Sequence, residues 1–355
     1  MRPEAHDVLV GELLVVGNPS SLHRMGQRAR RRLEEAREEL AAAAGARPSE
    51  VVFTSGGSEA DSIAVLGSMR ARPERPRALM SAVEHPAVLE ARRFGAEVLP
   101  VGADGVIIPE AWELVDQQVA VVSVMAVNNE TGVTQPLSHV VEQARRVGAW
   151  SHSDAVQAFG HIPLSFGDSG VDLMSLSAHK IGGPVGIGAL LVRRGVSPSP
   201  IGLGGGQESR IRSGTNSVAL AAAFGAAATA ATAHLNAAAA QWLAWRERLQ
   251  ALAVRCGGRV NGRECAPHIL NVTFPGLRSQ DLLFLLDSAG VCAAAGSACR
   301  AGVNQPSEVL LAMGASEEDA AACLRLSFGH STTSDEIAHL EGVLPEAVER
   351  ARAAR

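Results

Sequence analysis

The 355-residue sequence has no CxxC pair, no surplus of basic residues and no apolar run that passes uninterrupted through a membrane's thickness. Each absence narrows the range of functions. Five cysteines (256, 265, 292, 299 and 323) are odd in number and fall into no metal-site or redox spacing, which points to a reducing cytoplasm, at least one free thiol and no resident metal. A net charge of -5 leaves no electrostatic footprint for nucleic acid or an anionic membrane. The stretch from Val218 to Leu252 is apolar and alanine-rich, but Asn236, Gln241 and the charges Arg246 to Arg248 interrupt it, as in a helix of a soluble protein. Met1 to Leu14 carries Glu4, Asp7 and Glu12 in place of an apolar signal core, so nothing here directs export. Neither a Walker A loop nor a GxGxxG fingerprint occurs, so no nucleotide is specified.

What is present is an alternation of short apolar runs and helical stretches. Val51 to Thr54 reads as a strand, Ser55 to Ser58 as a glycine turn and Glu59 to Met69 as a helix. Runs at Arg77 to Val83, Glu97 to Val101, Val119 to Val127 and Ala149 to Ser153 continue the series, with helices from near Pro86 and over Leu137 to Val147. Such alternation predicts an α/β fold with a mostly parallel sheet covered by helices on both faces. The length suits two lobes. The expected boundaries are 1–235 for a large domain and 236–355 for a smaller α+β domain, whose apolar runs start at Ile269 to Phe274 and Leu282 to Leu286.

Ligands in parallel sheets bind at the carboxyl ends of the strands. Polar residues fall at those ends: His85, the Asn128-Asn129 pair, Asp154 with Gln157, and Lys180 after Val171 to Leu176. One such residue is routine; an imidazole, amides, a carboxylate and an amine together are not. Lys180 lies at a tight turn before glycines 182, 183, 186 and 188, in surroundings read as mostly apolar, which favour the free amine a Schiff base needs. The turn before the helix at Glu59 presents free N–H groups to a phosphate. A second glycine-rich loop, Gly202 to Thr215, carries Arg210 and Arg212 and offers another anion contact. Cys299 lies in a loop of small residues, where a thiol has room to react. Arg325, in the apolar run Leu324 to Phe328, should meet a carboxylate of the protein or of a substrate.

With these residues in view, the chain resembles the cysteine desulfurases, pyridoxal 5'-phosphate (PLP) enzymes with the aspartate aminotransferase-like fold, PLP fold type I. The resemblance runs from GNPSSLH at 17 to LRLSFGH at 324, through TSGGSEAD, EHPAV, VNNETGV, HSDAVQAFG, SAHKIGGPVGIGAL, GGGQESRIRSGT and GSAC. The spacing from Cys299 to PSEVL resembles the long-loop, NifS/IscS-like subgroup.

The resemblance implies a role for each site residue. Lys180 would bind the cofactor covalently and move the Cα proton. Asp154 would keep the pyridine nitrogen protonated, Gln157 would bond the ring hydroxyl, and His85 would stack on the ring and help deprotonate the substrate thiol. Gly57, Ser58, Ser177 and His179 would hold the phosphate, with Thr215 supplied by the partner of a homodimer. Asn129 and Arg325 would bind the carboxylate of L-cysteine. Cys299 would take the sulfur as a persulfide, release alanine and pass the sulfur to an acceptor protein in iron-sulfur cluster assembly or tRNA thiolation.

Three departures stand out. The family's first strand and Ala-Thr-Thr-Pro loop would precede Met1, so either the start is misplaced or the chain lacks one wall of the pocket; the opening segment is expected to pack on the smaller domain. Ser58 replaces a commoner threonine, and Ala294 and Ala295 replace serine or threonine before Gly-Ser-Ala-Cys. The rival readings are a selenocysteine lyase or another PLP-dependent lyase or aminotransferase, and an inactive, truncated homologue that serves as a binding partner.

Overall fold

The computed structural model describes residues 1–296 and 306–354. Strands β1 (Val51–Thr54), β2 (Arg77–Ser81), β3 (Glu97–Leu99), β4 (Val119–Ser123), β5 (Trp150–Asp154), β6 (Leu173–Ser177) and β7 (Gly188–Val192) form one sheet in the order β1-β7-β6-β5-β4-β2-β3. The pairs from β6 through β5, β4 and β2 to β3 are parallel, and β7 runs antiparallel to both β1 and β6. Strands β1, β4, β6 and β7 are buried along their whole length, which is why they read as mostly apolar runs and not as alternation. The mostly parallel α/β sheet expected from the sequence is therefore present, with β7 folded back beside β6 after the glycine turn.

Three helices bear on this sheet's surroundings. Helix α1 (Pro3–Leu13) is not legible in the sequence; it packs against the buried, alanine-rich helix Val218–Ala233. Helix α2 (Arg24–Ala44) ends at Gly45, whose left-handed φ of 64° closes the last turn. Helix α3 (Gly57–Ala71) follows β1 directly and packs on β6 and β7. The alanine-rich stretch is two helices, Val218–Ala233 and Leu235–Arg255; no single helix among the described residues is long and apolar enough to cross a membrane.

The chain divides into two compact units. The first holds residues 1–99, 110–126 and 135–235; the second holds 100–109, 127–134 and 236–355. The opening segment, expected on the smaller domain, is part of the first unit. In the second unit β8 (Arg259–Val260), β9 (Ile269–Thr273) and β10 (Cys323–Ser327) form an antiparallel sheet in the order β10-β9-β8. Its core joins Trp242, Leu249, Phe274, Leu282, Leu324 and Leu344. Leu282 to Leu286, read as an apolar run, lies in the helix Ser279–Ser288, so its leucines pack at helical spacing.

The glycine-rich loop at 202–215 is held by an interaction the sequence does not reveal. Arg37 of α2 donates through Nη1 and Nη2 to the Glu208 carboxylate at 2.9 and 2.8 Å, and the same carboxylate accepts the Phe53 N–H at 2.8 Å. Pinned there, Glu208, Ser209 and Arg210 adopt left-handed φ values of 45°, 54° and 67°. Side chains with a Cβ are strained in this region, by about 1 kcal/mol per residue. Arg210→Gly is therefore expected to raise the thermal midpoint by about 1–2 °C in a melt of the purified protein.

Candidate active site

The carboxyl ends of β5 and β6 and the start of α3 converge in the first unit. Gly57 is the first residue of α3; a Cβ built on it would lie 2.7 Å from Val156 Cγ2 and 3.5 Å from Ser177 Cβ, so the helix start adjoins both the turn after β5 and the end of β6. A side chain at position 57 would fill that cradle. The first turn of a 15-residue helix leaves its N–H groups facing outward here, the geometry that accepts a phosphate. Ser58 is exposed on the same turn, and Ser177 Oγ lies 2.8 Å from His179 Nδ1.

Asp154 closes β5. It is buried, 4% exposed, and accepts the Val156 N–H at 2.9 Å. Burial pushes its carboxyl up to about 6, against the pull of that N–H and of the Lys180 ammonium. Lys180 sits on the short 3-10 turn Ala178–Ile181 that follows β6. Its charge also bears on His85 and His179, whose imidazoles are held below their ordinary range first by burial and then by Lys180. His85 caps the helix Pro86–Leu89, its Nδ1 accepting the Ala87 N–H at 3.1 Å. That bond assigns the ring proton to Nε2 and fixes the ring's orientation. Lys180 is thus within electrostatic reach of the Asp154 carboxyl, of the strand-end imidazole of His85 and of its neighbour His179.

The remaining expected site residues fall in different places. Gln157 is half-buried in the turn after β5, and Thr215 is exposed at the end of the 202–215 loop. Of that loop's arginines, Arg212 donates through Nε to Glu59, in the first turn of α3, at 3.1 Å. Asn129 and Arg325 belong to the second unit and meet there: Arg325 Nη1 donates to the carbonyl oxygens of Asn129, at 2.9 Å, and Gly296, at 3.2 Å. Main-chain carbonyls thus hold Nη1 in place. Asn129 Oδ1 is buried with no hydrogen-bond partner among the described residues, an acceptor still to be satisfied. The neighbouring Glu130 accepts the Ser307 hydroxyl at 2.5 Å, and its carbonyl accepts Asn271 Nδ2 at 3.0 Å. Cys299 lies outside the described residues. The four described cysteines are free thiols, and burial pushes Cys323 up to about 11, far from a reactive thiolate.

Two expectations change. Lys180, read as set in apolar surroundings, is exposed in the single chain, and the groups on which its charge acts are polar. Strand-end reading also misses a buried polar layer behind Asp154, formed by Asp61, Glu84, Ser123, His152 and Ser175. The signal is there: Ser123, His152 and Ser175 interrupt strands that are otherwise apolar, and Asp61 falls on the buried face of α3.

These residues fit a pyridine aldehyde that carries a phosphate. Asp154 is a buried carboxyl at a strand end with one N–H donor, suited to a cationic ring nitrogen; Lys180 is an amine within its field; the Gly57 cradle and helix start suit a phosphate.

Comparison with known proteins agrees with this geometry. The profile of the class V aminotransferase family matches residues 12–340. An IscS-like cysteine desulfurase from Mycobacterium tuberculosis is 44% identical over an alignment that covers 100% of this chain and 95% of that protein. A solved NifS-like protein superposes with a TM-score of 0.90 at 31% identity, covering 99% of this chain and 96% of its own. A second solved structure, SspA in complex with cysteine, gives a TM-score of 0.81 at 30% identity over 94% of this chain and 97% of that one.

Proposed function

We infer, because this chain belongs to the class V aminotransferase family, that it is a PLP-dependent cysteine desulfurase that converts L-cysteine to L-alanine and passes the sulfur on. The observation that carries this reading is the grouping of Lys180, Asp154, His85 and His179 beside the Gly57 cradle, in a chain whose relatives are named for that reaction. The cofactor, when bound, supplies an electron sink for charge developed at the substrate's Cα.

The protein's residues do the rest. Lys180 would bind the cofactor and carry the Cα proton. Asp154 would hold a proton at the ring nitrogen, and Gln157 would bond the ring hydroxyl. Ser58, Ser177, His179 and the α3 start would bind the phosphate, with Thr215 contributed by the second copy in a homodimer. His85 would stack on the ring; with Nδ1 committed to Ala87 and the proton on Nε2, its Nε2–H would donate to the substrate sulfur and so favour the thiolate. Asn129 and Arg325 bind the substrate carboxylate; the unsatisfied Asn129 Oδ1 then gains a donor in the substrate's ammonium.

Cys299 attacks the substrate sulfur as a thiolate. A sulfur–sulfur bond forms as the substrate's carbon–sulfur bond breaks, the bonding pair stays with the substrate carbon, and protonation yields alanine. The persulfide left on Cys299 matches the sulfur removed, so no external oxidant is needed. A sulfur-acceptor protein of iron-sulfur cluster assembly or tRNA thiolation then takes it, in the cytoplasm, where the thiols stay reduced. The relatives' names do not favour the selenocysteine lyase or binding-partner readings.

The test is alanine production from L-cysteine by the purified yellow protein. Cys299→Ser is expected to keep the visible absorption of the bound cofactor and to lose alanine production. Undiminished turnover in that variant would remove Cys299 from the reaction, and a colourless wild-type protein that cannot be loaded with PLP would remove the whole reading.

A further inference from the structure

The buried layer behind Asp154 contains more carboxyls than its surroundings can keep charged. Asp61, on the inner face of α3, is 1% exposed, and its Oδ1 has no hydrogen-bond partner among the described residues; the ring nitrogen His152 Nε2 stands 3.7 Å away. Glu84 is equally buried. One of its oxygens accepts the Met125 N–H at 2.6 Å, and the other has no partner among the described residues. His152, fully buried, is held between Ser123 Oγ at 2.8 Å from Nδ1 and Ser175 Oγ at 3.0 Å from Nε2, and the Ser175 hydroxyl also acts on Asp61. Asp154 pairs in register with Ser175 across β5 and β6, which places this layer on one face of the sheet directly beside it.

The charges around the layer settle which carboxyl ionises. Lys180 acts on Asp154 and, from the same side, on His85 and His179. Asp61 has an imidazole and a hydroxyl as neighbours, neither of them a fixed cation, and a charge there would be buried without compensation. Burial holds the imidazole of His152 neutral, down to about 3, so it offers Asp61 no positive charge.

We propose that Asp61 is a protonated carboxylic acid in the working protein and a positioning residue for Asp154, its O–H completing the chain through Ser175, His152 and Ser123 so that the negative charge behind the cofactor ring gathers on Asp154. This rests on the PLP reading above only for what the charge then does; the protonation itself is a property of the chain. Asp61 is accordingly mimicked by a neutral amide, which can donate an N–H where the acid donates its O–H, and not by an apolar residue.

The direct test is an infrared difference spectrum of wild type minus Asp61→Asn at neutral pH. The expected result is the carbonyl stretch of a protonated carboxylic acid, shifted in heavy water; a carboxylate doublet in its place overturns the proposal, whatever becomes of the cofactor reading. The second measurement is the pH midpoint of the bound cofactor's visible band. In Asp61→Asn it is expected to stay put, because no charge is removed; a displacement of about one unit or more is the mark of a lost neighbouring charge and counts against a neutral Asp61. Asp61→Leu, which leaves Ser175 and His152 short of a partner, is expected to retain PLP about tenfold less tightly, while Asp61→Asn restores wild-type retention. Should Asp61→Asn fail to fold, Asp61→Ser carries the same infrared comparison.

Discussion

Lys180→Ala is expected to remove the visible absorption of the bound cofactor and to lower alanine production from L-cysteine by about 10⁴-fold, the upper range for loss of a positioned proton carrier. The loss is twofold in origin: the amine is both the covalent tether and the group that carries the Cα proton. The geometry adds a second readout. Lys180 helps to hold the imidazoles of His85 and His179 below their ordinary range, so the variant's apoprotein should titrate both at higher pH than wild type, as seen by NMR of the histidine ring protons. Burial is the larger cause for each ring and remains, so both should stay below the value of a free histidine. An unchanged visible band in the variant would overturn the assignment of Lys180.

The sheet and the strand-end constellation are legible because they follow from local rules. Buried strands such as Val119–Ser123 and Leu173–Ser177 read as apolar runs, and the residue that ends each run lies where a parallel sheet presents its ligands. What stays hidden depends on partners distant in sequence. Arg37 and Glu208 are 171 residues apart, so nothing local to the charged helix α2 or to the glycine-rich loop announces their ion pair. The same holds for Arg325, whose apolar run announces a need for partners but does not point to the main-chain carbonyls of Asn129 and Gly296 that receive its Nη1. The acidic layer is a third case. In the sequence Asp61 looks like one more polar residue on a helix, and only its burial against β5 and β6 shows that solvent cannot screen it. Helix α1 escapes for the opposite reason: its scattered charges give weak periodicity, and its packing against a distant alanine-rich helix supplies the order.

Asp154→Asn should separate stability from function. In the protein without cofactor, Asp154 is a buried carboxyl whose folded pKa is raised to about 6, above an unfolded value near 4. A carboxyl shifted in this direction favours the folded state most in its acid form; that contribution is complete below about pH 4 and is lost as pH rises through about 6. Two pH units amount to about 3 kcal/mol, so wild-type apoprotein is expected to lose thermal stability across this window, and the Asp154→Asn protein, with no proton to give up at this position, should not. At about pH 8 the variant apoprotein should therefore melt above wild type. Loading the cofactor reverses the order. A cationic ring nitrogen compensates an ionised Asp154, whereas an amide offers it no charge, and breaking such a buried pair costs about 3–5 kcal/mol, or a loss of PLP affinity of roughly 10²- to 10⁴-fold. Melting curves of both apoproteins from about pH 4 to 8, with and without PLP, measure the two effects together. If the variant were no more stable than wild type without cofactor, yet bound PLP as tightly, Asp154 would be a structural carboxyl and the ring nitrogen would have to be met by another group.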